Sequence, residues 1–140
     1  MWGTNLHGAS FNGADLRKAS LFDANLTSAY LVGADLRGSD LDRDSFTGAD
    51  LDDADLRDAN LIGADLTGAH LVDANLGKAK LTYANLKGAN LENAKLSGAD
   101  ISKADLRMAV NLTQDQINSA SGDSATQLPA NLTRPGKWPR

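Results

Sequence analysis

The chain contains no cysteine, only three prolines and only 5% aromatic residues in 140 positions. Without thiols there is no disulfide framework, no thiolate zinc site and no cysteine nucleophile. No apolar run approaches the roughly 20 residues that cross a bilayer, and the opening Met1-Trp2-Gly3-Thr4-Asn5 has neither a basic n-region nor an apolar h-region. The expectation is a single domain with no membrane contact and a cytoplasmic location. Positive charge is also in short supply, with 14 Lys+Arg against 18 Asp+Glu and a formal net charge of -4. Gripping nucleic-acid phosphates needs clustered Lys and Arg, so direct nucleic-acid binding is not expected.

What the chain has in abundance is repetition. Every fifth position from Leu6 to Leu106 is large and apolar, 21 in all, each Leu except Phe11, Phe46 and Ile101. Two residues before each centre stands Ala, with only Thr4, Ser39 and Asp44 departing. The unit is Ala-(Asp/Asn)-Leu-x-x. Ala and Leu favour helix, but a five-residue step turns each Leu by about 140° around a helix and scatters the leucines over the whole cylinder. On a flat strand the same step sends alternate leucines to opposite faces. A chain that turns a corner once per pentapeptide directs every Leu and Ala inward, which predicts a solenoid.

The outward positions give the number of units per coil. Thr27, Thr47 and Thr67 recur at 20 residues, as do Arg17, Arg37 and Arg57, each two after Asp15, Asp35 and Asp55. Four pentapeptides therefore close one coil, and about five coils at roughly 4.8 Å each give a rod of about 25 Å. Gly precedes many of the inward Ala positions, where a corner needs positive φ, while Asp, Asn or Lys elsewhere in that slot suggest more than one corner type. One stretch departs from the rule, with Ser39 and Asp44 in Ala slots and Phe46 as a centre. Asp44 is expected to accept backbone N–H bonds at a corner or sit on a bulge; the alternative is a recognition feature.

Near the C-terminus, Thr113 and Gln116 fit a capping box and Leu112 and Ile117 a hydrophobic staple, predicting a short helix from about Thr113 to Ala120. It would cover the open end of the solenoid at residues 111–120. Residues 121–140 contain all three prolines with Leu128, Leu132 and Trp138, a pattern for an extended tail packed on that cap.

The tandem Ala-(Asp/Asn)-Leu-x-x units over residues 4–110 resemble the pentapeptide repeat family. The resemblance implies an all-β fold, a right-handed quadrilateral parallel β-helix; the handedness comes from the family. The tail, Leu112-Thr113-Gln114 through Leu132-Thr133-Arg134-Pro135, resembles one on many bacterial members, in which Cys often stands where Ser121 does here.

No catalytic constellation emerges, and no cofactor, metal or enzymatic activity is expected. His7 and His70 fall three coils apart on adjacent faces, too far to share a metal. Asp15, Asp35 and Asp55 alternate with arginines as a surface ladder instead of forming a carboxylate dyad. The Thr column lacks the second Thr column of ice-binding helices, and the three Asn-Leu-Thr acceptor patterns lack a secretory context. Charge distribution says more. Residues 35–65 hold ten Asp against Arg37, Arg43 and Arg57, whereas 66–110 hold four acids against six bases. The candidate interaction surface is accordingly Asp35, Asp40, Asp42, Asp44, Asp50, Asp52, Asp53, Asp55 and Asp58, facing a protein partner with a basic surface. Outward Tyr30, Val32, Val72, Phe22, Ile62 and Tyr83 leave both a monomer and a homodimer open. The leading expectation is a non-enzymatic interaction or scaffold protein. The alternatives are a DNA mimic that binds DNA gyrase, which the resemblance implies, and a passive repeat scaffold.

Overall fold

Each pentapeptide closes a corner with one backbone bond. The N–H three residues after a centre donates to the central carbonyl, as from Ala59 to Leu56 and from Ala64 to Leu61, both at 3.1 Å. The residue before that donor is left-handed at every corner from Gly8 to Met108, with φ between 55 and 70°. One conformation thus serves glycine, Asp53, Lys78 and Tyr83 alike, which corrects the expectation of several corner types. A side chain at positive φ costs about 1 kcal/mol, and the corner side chains lie on the exposed surface, so no packing clash is added to that local cost.

The computed structural model describes residues 2–140. Parallel bridges join residues 20 apart, in an unbroken series from Asn5↔Asn25 to Asn90↔Val110. The chain therefore returns above itself after every four corners. Leu56 donates its N–H to Asn75 above at 2.7 Å, and Asp55 donates to Ala34 below at 2.9 Å. Each bridge is a single isolated pair, and among the described residues no longer strand forms. The expectation of β-rich structure is corrected accordingly: the corner consumes most of each five-residue unit and leaves one residue to bridge.

Inward Leu and Ala form one continuous core, with Leu36, Leu56, Leu76 and their alanines shut off from solvent. Leu16 occupies the same register one coil below Leu36, but with Leu6 and Phe11 it is only partly buried because no coil lies beneath it. At the other end the chain supplies a cover. α1 spans Gln114–Ser119, with Thr113 as N-cap and the reciprocal Thr113–Gln116 capping box in place. Ile117 is fully buried and Leu112 nearly so. Gln116 also donates its side-chain amide to the carbonyls of Leu91 (2.7 Å) and Ala94 (2.8 Å), tying α1 to a late corner. Beyond it, Ser121 and Gln127 bridge to Asp100 and Asp105, one and two residues out of the 20-residue register. Trp138 is buried and donates its indole N–H to Ala120 O at 3.1 Å. Its ring lies where a Cβ on Gly122 would be, 2.7 Å away, so only glycine fits there.

This closure carries a prediction. The N–H groups of Ile101 and Leu106 donate to Ser121 and Gln127, both at 2.8 Å, so deleting residues 111–140 orphans them and uncovers the leucine end. Size-exclusion chromatography of the truncated protein should show oligomers or aggregate. A monomer with unchanged melting temperature would mean that the end needs no cover.

Candidate functional site

The 20-residue register stacks the bridging residues into columns, and each column has its own electrostatics. On one face Asp15, Asp35 and Asp55 alternate with arginines. Arg17 and Arg37 each fork onto the Asp two residues earlier, with contacts of 2.8 and 2.7 Å and of 2.8 and 2.6 Å. Arg57 does the same to Asp55, its closest contact being 2.5 Å. Arg17 and Arg37 also reach the Asp one coil up at 3.7 Å. Hydrogen bonds from Arg17 hold the Asp15 carboxyl down at about 2, and those from Arg37 and Arg57 lower Asp35 and Asp55. These acids are neutralised where they stand, so Asp35 and Asp55 contribute little net field to the candidate interaction surface.

Asp44 leaves the proposed surface altogether. It is fully buried, so it cannot contact a partner, and that expectation is corrected. Its Oδ1 accepts the N–H of Ala24 at 2.8 Å, while Oδ2 has no hydrogen-bond partner. No bulge accommodates it: the corner bond from Asp44 N to Leu41 O is regular at 3.1 Å. Burial pushes its carboxyl up to about 7, the Ala24 bond opposes the rise, and Asp40, Asp23 and Asp42 add to it. Ser39 adapts differently, donating its hydroxyl to Leu36 O at 2.6 Å.

Of the remaining candidates, Asp42 lies 3.6 Å from Arg43, and Asp40 accepts the Asn60 side-chain amide at 3.0 Å. Asp50, Asp52, Asp53 and Asp58 make no ion pair among the described residues, which sets them apart from the arginine-bound ladder. Asp53 and Asp58 are exposed at corners, whereas Asp50 and Asp52 are half-buried. Asp50 Oδ1 accepts the Asp52 N–H at 3.2 Å, and Asp52 Oδ1 accepts the Val72 N–H from the coil above at 2.8 Å. Asn12 holds Val32 in the same way two coils below, at 2.9 Å.

One grouping escaped the sequence reading. His70 bridges directly over Asp50, and one ligand atom each from Asp50, Asp52 and His70 lie within 4.8 Å of one another. The sequence signal for it is the 20-residue spacing of Asp50 and His70, one coil apart in register. Of the outward apolar residues, Tyr30 and Tyr83 are exposed, whereas Val32, Val72, Phe22 and Ile62 are half-buried. Arg43 stacks over the Phe22 ring at 4.6 Å. A shallow groove of about 500 Å³ beside α1 is lined by Glu92, Asn93, Thr113 and Gln116 and contains no nucleophile–base pair. No helix among the described residues is long and apolar enough to cross a membrane.

The family model for pentapeptide repeats matches in 8 copies over residues 1–21, 19–58, 39–77 and 69–107. A pentapeptide repeat protein from the Arabidopsis thaliana thylakoid lumen is 33% identical, with 67% of this chain and 69% of that one covered and a TM-score of 0.56. A trypsin-treated form of QnrB1, a plasmid-mediated fluoroquinolone resistance protein, is 21% identical over 96% of this chain and 79% of that one, with a TM-score of 0.71. At that identity the likeness concerns the fold alone. No curated protein matches the chain. Eight copies of the family's repeat, spread over the same residues that the corners and 20-residue bridges organise, establish that the chain belongs to the pentapeptide repeat family.

Proposed function

We propose that the chain is a non-enzymatic interaction protein, built as a right-handed quadrilateral β-helix of about five coils, that docks a basic protein surface against its acidic belt. Residues 111–120 act as its cap and residues 121–140 as a strap over that cap. The observation that carries this reading is the contrast between Asp15, Asp35 and Asp55, satisfied by arginines, and Asp50, Asp52, Asp53 and Asp58, which have no cation in ion-pair reach among the described residues. Unpaired carboxylates on a rigid backbone keep a field available for a partner. Mimicry of DNA toward gyrase is the runner-up. A net charge of -5 over residues 4–110, a rod about 25 Å long, is about one charge per 5 Å, against one per 1.7 Å in duplex DNA.

The test is charge reversal of Asp50, Asp52 and Asp53 to Lys. The fold already hosts lysine in each kind of position: Lys80 and Lys95 bridge, Lys87 follows a centre, and Lys18 and Lys78 sit at positive-φ corners. The variant gives up the backbone N–H bonds that Asp50 and Asp52 accept, so its melting temperature is read beside its binding; it should melt somewhat lower, remain folded at room temperature and lose capture of a basic partner. Wild-type affinity should fall steeply once added salt brings the Debye length below about 8 Å. In a gyrase arm, supercoiling that responds to micromolar wild-type protein and not to the variant would favour the mimic. Binding that ignores both salt and reversal would dismiss the belt.

A further inference from the structure

We infer that Asp50, Asp52 and His70 form a surface site for one divalent first-row transition ion of the zinc type. Three facts converge on it. The ligand atoms lie within 4.8 Å of one another, on two successive coils whose backbones are locked by the Asp50↔His70 bridge. Each carboxylate is oriented by a backbone N–H on its Oδ1, from Asp52 for Asp50 and from Val72 for Asp52. The Oδ2 of each accepts no hydrogen bond from the protein among the described residues, and neither acid has a Lys or Arg in ion-pair reach. In the Asp15, Asp35 and Asp55 column the carboxylates are relieved by arginine; here the group in register is an imidazole, which offers a nitrogen ligand.

The donor set decides the ion class. Two carboxylate oxygens alone suit Mg²⁺ or Ca²⁺, but these need about six or more oxygens, whereas an imidazole nitrogen favours Zn²⁺, Co²⁺ or Ni²⁺. An ion equidistant from three atoms at the 4.8 Å limit would sit about 2.8 Å from each. Metal–ligand bonds of about 2.0 to 2.2 Å therefore require the side chains to close in by under about 1 Å. His70 is exposed and has room to turn. Three protein ligands leave the remaining positions to water or to a side chain from another molecule. The site stands apart from the docking reading, because removing the His70 ring leaves every belt carboxylate in place.

Zn²⁺ titrated into the full chain, followed by calorimetry and by melting temperature, tests the assignment. Co²⁺ adds an absorption spectrum that reports nitrogen and oxygen ligation. The expected result is one ion per chain, a raised melting temperature, and affinity at least tenfold weaker in His70→Ala and in Asp52→Asn. Asp52→Asn retains the acceptor that holds the Val72 N–H, so its coil stays intact. His7→Ala should bind as the wild type does. Absence of binding up to about millimolar Zn²⁺, or binding that survives either His70→Ala or Asp52→Asn, would overturn the site.

Discussion

Leu56→Asp is expected to leave the chain unfolded at room temperature. Leu56 is fully buried in the middle coil, with Leu36 and Leu76 stacked one coil below and above it in the same column. Removing a buried Leu side chain costs about 2 to 5 kcal/mol, and a carboxyl without partners in apolar surroundings adds several more. Together these match the roughly 5 to 15 kcal/mol that holds a domain folded. The neighbouring N–H groups are already committed, Leu56 N to Asn75 O at 2.7 Å and Ala59 N to Leu56 O at 3.1 Å, and a shared bond of the kind Asp44 takes from Ala24 would offset only part of the cost. Position matters as much as chemistry. In a stack where each coil touches only its neighbours, a lesion at the centre separates two short halves that cannot hold alone. Leu56→Met, which conserves volume, should cost less than about 1.5 kcal/mol. Circular dichroism melts of the three proteins decide the matter, and a cooperative transition of Leu56→Asp near the wild-type temperature would refute the column.

The period of five with repeats at 20 was enough to place every inward residue, because no other geometry turns all the leucines to one interior. The Thr113–Gln116 box was likewise legible, since its spacing is local. What stayed hidden depended on neighbours in space. The single conformation of the corners could not be read from their variable residues, because positive φ is imposed by closing the coil and not by preference of Asp53, Lys78 or Tyr83. The partial exposure of Leu16 is an end effect that periodicity is blind to. The acidic belt was legible as a count of charges but not as a field. Which carboxylates an arginine satisfies, and which lie against His70, is settled by side-chain reach across coils. Asp44 is the sharpest case. Composition counted it with the surface acids, while its place in an Ala slot, visible in the same sequence, puts it in the core.

That placement makes Asp44→Ala a stabilising substitution whose effect grows with pH. In the unfolded chain this carboxyl titrates near 3.8, whereas burial in the fold raises it to about 7. Between those values the folded protein keeps a proton that the unfolded chain releases. The stability tied to that proton is complete below about pH 4 and drains away until the folded carboxyl itself ionises, near pH 7. A difference of about three pH units corresponds to about 4 kcal/mol at most. The arginine-bound Asp15 and Asp105, both held at about 2, act in the opposite sense and only at lower pH, so they do not mask the slope. Alanine is the repeat's own residue at this slot. It removes the unpartnered Oδ2 and gives up the bond from Ala24, whose N–H also donates to Leu21 O at 2.9 Å and so is not orphaned. Urea denaturation at pH 5 and pH 8 should show the wild type losing stability between the two and Asp44→Ala losing little. The variant should then exceed the wild type by about 2 to 4 kcal/mol at pH 8. Equal pH slopes in the two proteins would mean that Asp44 stays ionised within the core, with its charge compensated in a way the Ala24 bond alone does not provide.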